Sequence, residues 1–233
     1  MNEQPNAPML PAAPEPGYQN WIRALTRPGE HTYAAMAASP QARASTGYLW
    51  YFIGSIVQTL LAAVVQGQVI RTYFSQYAGQ LEMGSPLYAI VCGAPIAAVI
   101  STIFFAIGTA IIQWIARMFG GRGSNDKLAY VLSNILTPYL MISGLLTLLT
   151  AIPYVGLCFS AIAFLGGIYI LVLEVMAVKG VNQFGWGAAI GSLFIPLLVV
   201  VFACVCLAAG TFALLGPAIR DALQQLQQSM PQY

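Results

Sequence analysis

The sequence predicts an all-α fold: a polytopic transmembrane helix bundle of five spans, with short interfacial helices at the N-terminus. Three observations predict it. The first is the charge map, in which 46 residues between Lys127 and Glu174 carry no charged side chain and residues 44–70, 83–116 and 180–219 are equally uncharged. A helix needs roughly 20 apolar residues to cross a ~30 Å hydrocarbon core, and a charge at its centre costs several kcal/mol, so bilayer insertion selects runs of this kind. The second is composition: 7% charged and 58% hydrophobic residues, against about 25% charged in soluble domains, with a mean hydropathy of +0.74. The third is the placement of the basic residues, seven of which fall on one side of the expected spans and two on the other.

In chain order, residues 1–17 hold Pro5, Pro8, Pro11, Pro14 and Pro16 among Ala, Asn, Gln and Glu. With no apolar face to bury, they should form a disordered tail. Residues 18–46 read as an interfacial amphipathic leader. Trp21, Ile22 and Leu25 recur at helical spacing beside Arg23 and Arg27, and Glu30 to Ala38 is helix-compatible until Ser39-Pro40. Two short helices on the membrane surface, with Trp21 and the arginines at headgroup level, are expected; a flexible basic linker is the alternative.

Residues 47–217 should form the five-helix transmembrane domain. Its first span, Gly47 to Gln66, opens with Tyr48, Trp50 and Tyr51 and runs too long for a cleavable signal sequence, so it is expected to remain as an anchor. The second, about Pro86 to Ala116, exceeds the hydrocarbon core and must tilt, protrude or kink at Pro95. Leu128 to Thr150 and Tyr154 to Val178 follow as an antiparallel hairpin around Ala151-Ile152-Pro153. The last run, Gly187 to Pro217, is open to two readings, one long kinked helix or a re-entrant pair broken at Pro196, and counts as one span because neither half is long enough to span twice; residues 218–233 read as a short polar tail.

Basic residues orient the bundle. Arg23, Arg27, Arg43, Arg117, Arg122, Lys127 and Lys179 fall on the N-terminal side, and Arg71 and Arg220 on the other. The expectation is a cytoplasmic N-terminus and an extracytoplasmic C-terminus. A net charge of +2 without a basic stripe argues against nucleic-acid binding.

The four cysteines, Cys92, Cys158, Cys204 and Cys206, lie in apolar segments with no CxxC spacing or His cluster, so no metal site is expected. Gly120, Gly121, Arg122 and Gly123 superficially resemble a phosphate cradle. However, no GK followed by Ser or Thr is present, and Asp126 stands where a dinucleotide fingerprint needs Gly. The bland reading is a flexible cytoplasmic turn; the functional one is an interaction loop. The single histidine, His31, has no nucleophile with an orienting carboxylate nearby, so neither catalysis nor a cofactor is expected.

Polar residues expected at membrane depth are Gln58, Gln113, Ser133, Asn134, Thr137, Ser143 and Glu174. Glu174, about one turn from Lys179, should pair with Lys179 or Arg117. Asn134 should bond across to another helix where Pro138 bends its own. Gly166-Gly167 and Gly187-x-x-x-Gly191 offer small surfaces for close helix approach.

In order, these features resemble the bacterial-type branch of the Yip1 domain family. The resemblance rests on the aromatic leader with its basic-Pro pair, Trp21 to Pro28, and on the Gly-rich loop Phe119 to Ser124. The run Leu128 to Tyr139, with its Pro138, and the span end Leu173 to Val181 complete it. It covers about residues 18–215 and implies a non-enzymatic, five-span scaffold or adaptor of a prokaryotic plasma membrane, with no catalytic residues to carry over. Eukaryotic relatives associate with small GTPases in vesicle traffic, but this leader lacks their Tyr-Gly-Pro-type motif and the third span lacks their Gly-Tyr pair, which argues against GTPase binding here. The alternative is a small transporter or channel, with a polar path near Asn134 and Glu174 and kinks at Pro95, Pro138 and Pro196.

Overall fold

The computed structural model describes residues 17–74, 92–150 and 156–229. The expected Pro-rich tail before residue 17, the start of the second span before Cys92 and the turn Ala151-Ile152-Pro153 lie outside the described residues. Among the described residues two short helices, α1 (Gly17–Thr26) and α2 (Glu30–Ala38), precede five long ones: α3 (Ala44–Phe74), α4 (Ala94–Met118), α5 (Asn125–Thr150), α6 (Gly156–Asn182) and α7 (Trp186–Ser229). Among the described residues, five segments are long and apolar enough to cross a membrane: Ala44–Val65, Ala94–Met118, Asn125–Leu149, Cys158–Asn182 and Trp186–Thr211. The chain is an integral, multi-pass membrane protein.

Local chemistry sets the helix ends. Ser39, forced out of the helical region by Pro40, stops α2 with an extended backbone. Of the tilt, protrusion or kink open to the second span, Pro95 does not supply a kink within α4. Pro95 occupies the first turn of α4, where its missing N–H breaks no helical bond and its fixed φ suits a helix start. Pro138 does lie inside α5. The last apolar run is one continuous helix through Pro196.

Residues 1–192 form one compact unit and residues 193–233 a second. In the first, α5 is the core. From Leu128 to Ile135 every residue is at most 2% exposed, so this stretch is covered on all sides and is apolar all round apart from Tyr130, Ser133 and Asn134. Helix α3 lies directly on α5. A Cβ on Gly47 would stand 2.9 Å from the Ala129 carbonyl oxygen, one on Gly54 3.1 Å from Thr137, and one on Gly144 3.1 Å from the Gln58 Cα. Because the contacts advance along both helices together, α3 and α5 run in the same direction. The close-approach seam is therefore Gly47, Gly54 and Gly144. Of the glycines proposed from sequence, Gly166 and Gly167 meet Tyr139 only at ordinary distances of 3.8 and 3.6 Å, and Gly187 faces open space.

Aromatics join α3 to α4. Tyr51 stacks on Phe105 with centroids 4.1 Å apart, and Tyr48 meets the same ring edge-on at 6.0 Å. Outward faces are apolar, with Ile96, Ile103 and Phe104 on α4 and Phe164, Leu165 and Ile168 on α6 all exposed, as lipid contact requires.

In the second unit Leu198, Val199, Val200, Phe202, Val205 and Leu207 are exposed. Ten consecutive positions of a helix cover every direction around its axis, so this part of α7 is apolar all round.

Candidate functional site at the leader end of the bundle

The residues singled out from sequence gather mostly where α4, α5, α6 and the leader meet. Helix α4 ends in a double hydrogen-bonded cap: Gly120 N–H donates to the Arg117 carbonyl at 3.0 Å and Gly121 N–H to the Ala116 carbonyl at 2.8 Å. Gly120 sits at φ 86, a left-handed position that glycine occupies without strain. The loop then crosses the end of α6 in contact with Asn182. A Cβ on Gly121 or on Gly123 would stand 2.7 Å from Asn182 Oδ1, so both positions exclude any larger residue without a shift.

Asn182 is fully buried and Gln113 is 2% exposed. Gln113 Nε2 donates to Asn182 Oδ1 at 2.8 Å and to the Gly123 carbonyl at 2.9 Å. Gly123 N–H donates to Asn182 Oδ1 at 3.2 Å, and Asn182 Nδ2 donates to Gln113 Oε1 and to the Val178 carbonyl. Arg122 N–H adds a bond to the Asn182 carbonyl. The expected flexible turn is thus a clamped loop, because its glycines serve close approach as well as backbone freedom. Gly121 and Gly123 face the bundle, while Gly120 and Arg122 are exposed.

The leader is docked on the bundle. Asn20 Nδ2 donates to the Tyr130 hydroxyl of α5 at 3.3 Å. Two hydroxyls satisfy the carbonyls at the C-terminal end of α1, where no intrahelical donors remain: Tyr33 donates to the Ala24 carbonyl at 2.9 Å and Tyr169, from α6, to the Leu25 carbonyl at 2.6 Å. Burial pushes the Tyr33 phenol well above its ordinary range, which keeps it a neutral donor. Trp21, expected at headgroup level, turns inward and meets Trp50 edge-on at 5.0 Å, leaving Tyr18 and Ile22 outward.

Lys179 pairs with Glu30 of α2, not with Glu174, and its ammonium lies 4.4 Å from the centre of the Trp186 ring. The hydrogen bond from Lys179 holds the Glu30 carboxyl below its usual range. Beside the pair, a Cβ on Gly180 would stand 2.6 Å from the Glu30 carbonyl oxygen, so α2 touches the α6 backbone there. The misassignment has a geometric cause: five residues along a helix rotate the side chain by about 140°, so Glu174 and Lys179 point to different sides. Arg117, the other expected partner, is exposed. Among the described residues none bonds to or pairs with Glu174. It is half-buried, on the face shared by the buried Ile170, Ala177 and Val178.

Asn134 does not bridge helices either. Fully buried, it donates back to the Tyr130 carbonyl of its own helix at 2.8 Å, as Ser133 does. Thr137 Oγ1, next to Pro138, is buried with no hydrogen-bond partner among the described residues.

Glu30, His31, Ala34, Lys179, Gly180, Gln183 and Phe184 line a pocket of about 390 Å³. Sequence reading missed both this pocket and Asn182. Asn182 is the polar residue just after an apolar run, where solvation is the default expectation, and Glu30 and Lys179 lie far apart in the chain. The opposite charges of Glu30 and Lys179, the imidazole and the amide equip this end of the bundle for polar recognition.

One protein-family model, the Yip1 domain, matches residues 22–207. No curated protein and no solved structure matches the chain.

Proposed function

The chain belongs to the Yip1 domain family, and from that premise we propose that it is a non-enzymatic membrane scaffold or adaptor that recruits protein partners at the leader end of its bundle. In this reading it sits in a prokaryotic plasma membrane, N-terminus cytoplasmic and C-terminus outside, with Gly120 and Arg122 as the outward contact points of the loop. In this reading nucleic acids are not among its partners, and the missing Tyr-Gly-Pro-type motif of the leader argues against small GTPases. The observation that carries the reading is the clamp: a buried amide pair, Gln113 and Asn182, fixes a short loop while leaving Arg122 exposed. A loop held in one conformation loses little entropy on binding a partner. Local pairing of the buried polar groups supports a scaffold over a conduit, since Asn134 and Ser133 bond within α5 and Gln58 Nε2 donates to Ser143. Capture in mild detergent followed by mass spectrometry tests it. Proteins held by the wild type should be lost on Arg122→Glu and kept on Asp126→Asn, and a captured set indifferent to Arg122 would refute the reading.

Glu174 favours the second reading, a small transporter or channel, because a carboxylate in a span with no partner among the described residues is where a moving cation or proton would bind. With no partner to lose, Glu174→Gln should leave the melting temperature in detergent unchanged. Ion- or proton-coupled flux in proteoliposomes that vanished in this variant would replace the scaffold with a transporter.

A further inference from the structure

The pocket between α2 and the end of α6 has a position and a charge pattern that the scaffold reading does not use. Its lining residues 179–184 lie where one span ends at Asn182 and the next begins at Trp186, which is the level of lipid headgroups. Trp186, 48% exposed at the start of its span, is the kind of aromatic that sits at that level. The walls carry one anion, one cation, an imidazole and a carboxamide. Lys179 contacts Oε2 of Glu30, and the Glu30 side chain is still 43% exposed, so its carboxylate can accept a further donor. Lys179, with its ammonium between Glu30 and the Trp186 ring, has donors to spare. His31 and Gln183 add N–H donors at the rim.

We infer that this pocket binds the headgroup of a phospholipid bearing both a phosphate and a primary ammonium, the phosphoethanolamine type. The phosphate accepts from Lys179, His31 and Gln183, and the ammonium, two methylenes away, donates to Glu30. A lining with one formal charge of each sign matches a zwitterion better than a net anion, whose single charge Glu30 opposes. A trimethylammonium group has no N–H for Glu30, and the Trp186 face it would prefer is taken by Lys179. The volume of about 390 Å³ is that of a small-ligand site.

The test reconstitutes the full chain in bilayers of equal phosphatidylethanolamine, phosphatidylcholine and phosphatidylglycerol, and quantifies the lipid retained after mild detergent extraction by native mass spectrometry. Expected is phosphatidylethanolamine enrichment of about tenfold over the other two, the discrimination of one or two charge-assisted hydrogen bonds. The enrichment should fall at least threefold in His31→Ala and in Gln183→Gly. Both are exposed positions, and glycine suits the left-handed backbone at Gln183, φ 54. Equal retention of the three lipids by the wild type, which needs no variant to be read, would overturn the inference, as would an enrichment that both variants keep. A soluble arm separates the sources: displacement of bound lipid by millimolar phosphoethanolamine supports headgroup recognition, whereas binding of phosphoethanolamine without lipid enrichment overturns the lipid assignment.

Discussion

Asn182→Ala is the sharpest test of the clamp at the leader end. The Asn182 side chain accepts from Gln113 Nε2 at 2.8 Å and from Gly123 N–H at 3.2 Å, and donates to Gln113 Oε1 and the Val178 carbonyl. Truncation strands Gln113 Oε1 and the Gly123 N–H in a buried place. Each orphaned group costs about 1–3 kcal/mol, so a total of about 3 kcal/mol is expected, allowing for partial rehydration of the loop. For a chain of this size that is on the order of 6–12 °C in melting temperature. Thermal unfolding in detergent reads the loss, and amide exchange across residues 119–124 should quicken in parallel because the loop loses its anchor. Gly121→Ala, whose Cβ would stand 2.7 Å from Asn182 Oδ1, should be destabilising alone and cost less on top of Asn182→Ala, since one of its two clashes is then gone. An unchanged melting temperature in Asn182→Ala, with loop exchange as slow as in the wild type, would show that the amide pair does not hold the loop.

Glu30 makes docking of the leader pH-dependent. Its folded-state carboxyl titrates below its ordinary value, so its contribution is full above that value and is lost as pH falls through the lowered one. Exchange in α2 should therefore accelerate as pH falls below the usual carboxylate range in the wild type and change less in Glu30→Gln; identical profiles would refute the pairing. Gly47→Ala, with a backbone oxygen 2.9 Å from the new Cβ, should cost about 1–3 kcal/mol. Gly187→Ala, facing open space, should be neutral or stabilising by up to about 1 kcal/mol, and equal effects would dissolve the α3–α5 seam. Cysteine reporters at Ser124 and Gln228 should be modified from opposite sides of the membrane, and labelling from one side would break the five-span topology.

The spans were legible because lipid imposes a one-dimensional constraint that a charge map records directly. The gap from Lys127 to Glu174 could hold nothing but a hairpin of two helices. Partners across the bundle were not legible. Linear proximity points Glu174 to Lys179 or Arg117, whereas Lys179 meets Glu30 because α2 folds back onto the end of α6. The loop glycines were visible, but their reason was not: Gly121 and Gly123 are small because Asn182 is there, and nothing local announces that approach. Gly47 and Gly54 were within reach, since seven residues put both on one face of a helix. Asn134, read as a bridge, bonds to its own preceding turn, an option open to any short polar side chain in a helix.

The distant contacts that dock α1 on the bundle also set a calendar for assembly. The leader is synthesised before the groups that receive it: Tyr130 follows Asn20 by 110 positions, and Tyr169 follows Leu25 by 144. Until the fourth span is inserted, the carbonyl of Leu25 has no phenol to meet and Glu30 no ammonium. The leader therefore completes its contacts only after α6 has been made. Contacts this distant in sequence close slowly, because the intervening chain must be ordered before they form. A nascent chain halted after α5 would hold its leader only through Asn20 on Tyr130 and Trp21 on Trp50, without Tyr169 or Lys179, which makes full docking of the leader an indicator of whether α6 has been built.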